Sequence, residues 1–174
     1  MESASVSRTA VLGLLLAIGL ATSSAETLRT SDPCEMIRMS DIEALFPGER
    51  IQITTHDTEA ANPLGMRRCF WSAGEDMKFV QLSLTIDADS KAMNIEQQFM
   101  NNKLYVQDAK DVPDVGDAAY YGGSGMRIGA GLHSIVKDKG VMLNVMVGLG
   151  LGDADDQRHI EIERSLAKKV IEKL

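Results

Sequence analysis

The sequence predicts an α+β domain, in which an antiparallel β-sheet of about six strands is packed with about three helices. Two stretches carry this prediction. Apolar residues alternate with polar ones through residues 80–86, and alternation returns in residues 126–136 and 141–147, on either side of a polar turn. Spacing of two is typical of strands with one face against a core, and the turn predicts a hairpin. Helical segments separate these runs of strands, which argues against a parallel sheet.

The first half of the chain is predicted to form one helix and three strands. Residues 34–46 carry an apolar stripe at helical spacing, and Pro47 and Gly48 end it. In the second strand Cys69 and Trp71 share a face. The three strands are predicted at residues 51–55, 66–72 and 80–86.

The second half repeats this order. Residues 87–90 offer N-cap chemistry for a helix that runs to about Leu104, and a charged loop is predicted at 108–114. A strand at 118–121 leads through a glycine-rich turn into the hairpin. One of Asp153, Asp155 and Asp156 is expected to cap the last helix. The order helix, three strands, helix, three strands, helix suggests two helix-plus-three-strand units.

The amino terminus is predicted to be a cleavable signal peptide. An apolar run at residues 11–21 is followed by small residues, and cleavage after Ala25 or, as the near alternative, after Ser23 fits them. At about 1.5 Å per residue the run is too short to cross a hydrocarbon core of about 30 Å. We therefore expect a signal peptide, residues 1–25, and a single α+β domain, residues 26–174, that is periplasmic or secreted.

Charge and cysteine content restrict the partners and the compartment. The net charge is −7, and no basic cluster is present, so neither nucleic acid nor stable membrane insertion is expected. Cys34 and Cys69 are the two cysteines, and an even count in an exported chain predicts one disulfide. The loop-closure account gives it about 3.5–4 kcal/mol of stabilisation.

No motif predicts a catalytic residue, a cofactor or a metal. Ser124 is flanked by glycines but lacks the second glycine and the following helix of a nucleophile elbow. The glycines at 148–152 precede aspartates, which disfavour phosphate. His56, His133 and His159 have no metal-ligand spacing. Ten methionines, with Met142 and Met146 on one strand face, leave copper as an alternative to core packing.

Residues 141–147 are apolar on both faces apart from Asn144. Such a strand needs cover on both sides. If helices cover one face only, the other is an apolar groove that suits a hydrophobic ligand or a partner protein. The alternative is that the helices cover both faces. The candidate binding face consists of Met142, Met146, Tyr120, Tyr121 and Trp71.

Several short motifs carry a family resemblance. They are Asp32-Pro33-Cys34 before a helix, Cys69-Phe70-Trp71, and the stretch from Val112 to Tyr120, VPDVGDAAY. With these the chain resembles a family of uncharacterised secreted bacterial envelope domains, many of them lipoproteins. The resemblance implies an α+β domain with one disulfide and no assigned activity. This chain departs from the lipoprotein members in lacking a lipidation cysteine.

The function predicted is that of an exported, non-enzymatic cell-envelope protein that binds a partner protein or a small apolar ligand. Two alternatives stay open at this point. One is a periplasmic protein that binds a soft metal such as copper, and the other is an enzyme whose site is assembled only in the fold.

Overall fold

The computed structural model describes residues 32–123 and 130–174, with the side chain of Gln107 left out. The predicted signal peptide lies outside the described residues. So do Ser124 and the first part of the predicted hairpin, including Met126 and Ile128.

Seven strands form one antiparallel sheet in the order β1-β2-β3-β7-β6-β5-β4. This confirms the predicted fold class, with one strand more than the six expected. The strands are β1 (Ile51–His56), β2 (Met66–Ala73), β3 (Lys78–Ile86), β4 (Gln107–Asp111), β5 (Ala118–Gly123), β6 (Gly131–Val136) and β7 (Val141–Leu149).

Within residues 32–123 and 130–174, four α-helices and one short 3-10 turn accompany the sheet. The helices are α1 (Pro33–Met36), α2 (Met39–Leu45), α3 (Ile95–Tyr105) and α4 (Asp156–Ile171), and the 3-10 turn covers Asp87–Asp89. None of the helices in the described ranges is both long and apolar enough to span a membrane.

The predicted first helix is in fact two helices. Ile37 has extended backbone angles and separates α1 from α2. Adjacent residues of a continuous helix point about 100° apart. The break allows the neighbours Met36 and Ile37 both to be buried.

Two further predictions of local structure are corrected. The cap of α3 is Asn94, whose side chain accepts the Gln97 N–H, whereas Asp87 lies in the 3-10 turn and accepts the Ile95 N–H at 2.9 Å. The charged loop predicted at 108–114 contains strand β4. An edge strand pairs on one side only and tolerates charged side chains. The sequence of β4 therefore lacks the apolar alternation that predicts a strand.

The main core lies on one face of the sheet. Val80, Leu82 and Leu84 of β3 meet Val147, Val145 and Leu143 of β7 as register partners. Helix α4 covers them with Leu166, Ala167 and Val170. Strand alternation sends Met142, Asn144 and Met146 to the opposite face. There α3 covers one part only, with Ile95 and Phe99 packed on Tyr120, Ile135 and Met142.

Cys34 and Cys69 form the predicted disulfide, with their Cα atoms 5.1 Å apart. The bond joins α1 to β2. Cys69 and Trp71 lie on the same face of β2, as predicted, and both are buried in the main core. The bridge therefore fixes the amino-terminal helices to the centre of the first strand meander.

Replacing Leu143 with Ala should lower the free energy of unfolding by about 2–5 kcal/mol, since Leu143 is fully buried and a cavity would remain. Met142→Ala should also cost stability, because α3 covers that side chain. Met146→Ala, beyond α3, should cost clearly less. Urea unfolding measures all three. A Leu143→Ala variant as stable as wild type would contradict the strand register.

Reducing the disulfide should lower the free energy of unfolding by about 3.5–4 kcal/mol, because the unfolded chain regains loop entropy. The urea midpoint before and after reduction measures this, with thiol titration as the control for complete reduction. An unchanged midpoint in fully reduced protein would show that the bridge does not stabilise the fold.

Candidate functional site

A cavity of about 330 Å³ opens where β7 extends beyond β6. The β6–β7 pairing ends at Leu132 and Val145, whereas the β3–β7 pairing continues to Lys78 and Leu149. Among the described residues, the last residues of β7 therefore pair with a strand on one side only. The volume is at the small end of the range for ligand pockets. We call this the β7 cavity.

The wall of the β7 cavity is mainly apolar. Phe79 and Met146 come from neighbouring strands, and the loops on either side supply Met77 and Leu151. A side chain at Gly148 would collide with the Phe79 ring and with the backbone carbonyl of Met77, so this position needs glycine. The Phe79 ring lies across the strand and stacks on Phe70 with 5.0 Å between centroids.

The rim of the cavity is polar, and its charges are already paired. Asp153 and Asp156 line it together with His159. Arg158 Nη1 lies 3.2 Å from Asp153 Oδ2, and Lys110 Nζ lies 2.7 Å from Asp156 Oδ2. A ligand therefore meets an apolar interior and a rim with little uncompensated charge.

A fully buried carboxyl group, Glu163, lies behind the cavity wall. Its Oε1 accepts the N–H of Val147 at 2.8 Å, beyond the last β6–β7 pair. The N–H of Leu132 also bonds to this side chain. Glu163 thus takes the place of a strand partner where β6 and β7 separate. Its other oxygen, Oε2, has no hydrogen-bond partner among the described residues.

Burial raises the pKa of Glu163 well above the usual value for a glutamic acid, and the two backbone N–H groups only partly oppose this. Burial also raises the pKa of the nearby Tyr121 phenol, and the carboxylates of Glu163, Asp156 and Asp153 raise it further. Both shifts favour the neutral form of these groups.

His159 does not complete an acid–base pair in this cavity. Its Nε2 lies 3.7 Å from Asp153 Oδ1, and its Nδ1 lies 4.0 Å from Glu163 Oε1. Both separations exceed hydrogen-bonding distance. No Ser, Thr or Cys lines the β7 cavity in the described part of the chain.

His133 is held as a neutral packing residue. Its ring stacks on Tyr120 with 4.7 Å between centroids, and its Nε2 lies 3.3 Å from Asn144 Nδ2. Burial lowers the pKa of His133 to about 4. It therefore carries no charge at neutral pH.

The structure separates the five residues of the predicted binding face. Met146 and Tyr121 line the β7 cavity. Met142 and Tyr120 lie under α3 on one face of the sheet. Trp71 is 1% exposed and belongs to the core of the other face. A ligand in the cavity would thus contact two of the five.

The sequence did not predict the buried Glu163, nor that residues 148–152 line a cavity. Glu163 lies three residues from both Ile160 and Leu166, within the apolar stripe of the last helix. A carboxylate at helical spacing among apolar residues was the signal that could have identified it.

A second cavity, of about 510 Å³, lies at the start of α3. Its polar groups are already engaged: Asp87 accepts the Ile95 N–H, and Lys137 Nζ lies 3.1 Å from Glu96. Its mixed polar lining makes it a weaker candidate than the β7 cavity.

Two groups of side chains in the described residues carry possible metal ligands. Met142 and Met146 are four residues apart on one strand, hence about 13 Å, too far to bind one ion together. Asp32, Cys34 and His56 do place ligand atoms within 4.8 Å of one another. The Cys34 sulfur is part of the disulfide, however, and offers no thiolate in this state.

Comparison of the chain with profiles of known protein families, with curated proteins and with solved structures gave no match. The family resemblance inferred from the sequence motifs therefore stays a prediction.

Glu163→Gln should change how stability depends on pH. Because the folded pKa of Glu163 is raised, its stabilising effect is full below about pH 4.5 and is lost as pH rises through the folded value. Glutamine stays neutral, so the difference in unfolding free energy between variant and wild type should shift in favour of the variant as pH rises. The slope is at most about 1.4 kcal/mol per pH unit. Urea unfolding between pH 4 and 9 measures it.

Glu163→Ala is the comparison for the backbone contacts, since it leaves the N–H groups of Val147 and Leu132 without their partner. It should be less stable than Glu163→Gln at every pH. Parallel pH profiles for wild type and Glu163→Gln would show that Glu163 does not titrate differently in the folded protein.

Proposed function

We propose that this protein is an exported, non-enzymatic cell-envelope protein that binds a small apolar ligand in the β7 cavity. The cavity is the single observation that carries the proposal: a concave, mainly apolar site with a polar rim. The disulfide and the signal-peptide pattern support export, because disulfides persist in oxidising compartments.

The chemistry of the cavity favours a ligand without strong charge. Burying hydrocarbon in its apolar interior lowers the free energy by about 25 cal/mol per Å² of apolar surface. The rim aspartates already have cationic partners, and burial raises the pKa of Glu163 behind the wall, which favours its neutral form. A charged ligand would have to displace these partners or lose its hydration without compensation.

The geometry gives less support to the two alternatives. His159 is beyond hydrogen-bonding distance of both neighbouring carboxyl groups. Neither carboxyl group therefore orients its imidazole as the general base that nucleophilic catalysis requires. The methionine pair on β7 is too widely spaced for one copper ion. Binding without catalysis therefore agrees best with the site.

Filling the β7 cavity should abolish ligand binding. The probe is N-phenyl-1-naphthylamine, a neutral apolar dye whose fluorescence rises on leaving water. Wild type should enhance its fluorescence saturably at one dye per chain. Met146→Trp, which places a large ring in the cavity, should weaken binding at least tenfold.

Met100→Trp is the matched control, because Met100 is exposed on α3 and does not line the cavity. It should bind the dye as wild type does. Thermal unfolding must show that both variants are folded. Equal dye binding by Met146→Trp and wild type, or no saturable binding by wild type, would contradict the proposal.

A partner protein is a second candidate ligand, and it would bind at a different surface, on α3. Met100, Leu104 and Tyr105 are exposed together near the carboxyl end of α3. Adjacent exposed apolar side chains on one helix are typical of interaction sites. Leu104→Glu would disrupt such a contact without affecting dye binding in the β7 cavity.

A further inference from the structure

Two metal-binding side chains lie beside the disulfide. Asp32, Cys34 and His56 each place one ligand atom within 4.8 Å of the other two, and His56 Nε2 lies 2.6 Å from Asp32 Oδ2. Cys69 is bonded to Cys34 and adds a second sulfur at the same place. In the part of the chain that the structure describes, no other such cluster occurs.

Contacts other than the disulfide hold these four residues as two pairs, and the His56–Asp32 contact and the packing of α1 against β2 join the pairs. His56 on β1 and Cys69 on β2 are direct register partners in the sheet, and such partners have their Cβ atoms about 4.5–5.5 Å apart. Asp32 caps α1: its Oδ1 accepts the N–H of Cys34 at 2.7 Å. Backbone pairing thus positions His56 beside Cys69, and the helix cap positions Asp32 beside Cys34.

We propose that reduction of the disulfide converts this cluster into a tetrahedral site for a thiophilic divalent cation such as Zn²⁺, with Cys34, Cys69, His56 and Asp32 as ligands. Two thiolates, an imidazole and a carboxylate are donors that Zn²⁺ accepts. With metal–ligand distances of about 2.0–2.3 Å, neighbouring donors of a tetrahedral site are about 3.3–3.8 Å apart. Side-chain rotations suffice to reach these separations from the observed cluster.

The redox chemistry makes the disulfide and the metal mutually exclusive. A dithiol reductant passes two electrons and two protons to the disulfide and itself becomes a disulfide. Zn²⁺ then displaces one proton from each cysteine thiol. In the reverse step a disulfide oxidant accepts two electrons from the two thiolates and, with two protons from water, becomes a dithiol, while the Cys34–Cys69 bond re-forms and the ion is released. The His56 side chain is 45% exposed, so an ion can reach the cluster from solvent although Cys69 is buried.

The site is separate from the β7 cavity, and none of its four residues lines that cavity. The proposal therefore does not depend on ligand binding there. It also gives the bridge a second role, because a bound ion would restore part of the link between α1 and β2 that reduction removes.

Co²⁺ is the probe that tests the site, since thiolate ligands give it intense charge-transfer absorption and tetrahedral geometry gives it strong visible bands. Protein reduced with a phosphine and kept under nitrogen should bind one Co²⁺ per chain with both signals, and Zn²⁺ should displace it. Oxidised protein should give neither signal. His56→Ala and Asp32→Asn should each weaken binding at least tenfold.

The variants are chosen so that loss of folding is not mistaken for loss of ligands. Asn caps helices as well as Asp does, so Asp32→Asn keeps the start of α1. His159→Ala removes another histidine that neighbours an aspartate, and it should bind Co²⁺ as wild type does. Circular dichroism monitors the sheet in every sample.

Three results would overturn the proposal. One is the absence of thiolate–Co²⁺ absorption in reduced, folded protein. Another is equal Co²⁺ affinity in wild type, His56→Ala and Asp32→Asn, which would mean that the two thiolates bind the ion without the cluster. The last is loss of the sheet on reduction, because the four ligands would then not be held together.

Discussion

The pairing of β3 with β7 is the contact on which the rest of the structure depends. Each strand ends a meander, β1-β2-β3 from one half of the chain and β4-β5-β6-β7 from the other. Their register runs without a break from Lys78–Leu149 to Ile86–Val141. Because this ladder joins residues far apart in sequence, its apolar pairs must offset a large loop-closure entropy. The buried Val and Leu pairs along it, covered by α4, supply that free energy.

The same pairing creates the candidate site. In the described part of the chain, β7 pairs with β3 as far as Leu149 but with β6 only as far as Val145, so backbone groups at this end of β7 have no described strand partner. An unpaired buried N–H is costly. Glu163 from α4 accepts the Val147 N–H at this point and so satisfies one of these groups. The apolar cavity is lined by this same end of β7, from Met146 to Leu149.

The sequence predicted what depends on local periodicity. Alternation at Val80–Leu84 and Val141–Val147 identified the two central strands and their buried faces. Two cysteines, together with the predicted signal peptide, predicted the bridge. Strand β4 was missed because an edge strand with charged residues has no apolar alternation. The sequence did not predict that the five residues of the binding face lie apart. It shows which residues share a strand face but not which part of that face α3 covers. Glu163 could have been identified by examining the helical spacing of α4 for polar residues as well as for apolar ones.

The account rests on the β7 cavity being the place where an apolar molecule binds. NMR of protein labelled at the methionine methyl groups tests this directly, with N-phenyl-1-naphthylamine as the ligand. The account predicts that the Met77 and Met146 methyl signals shift saturably and together, because both side chains line the cavity. Met36 and Met142, buried elsewhere, should keep their positions. Shifts at the exposed Met100 with unchanged Met77 and Met146 signals would contradict it.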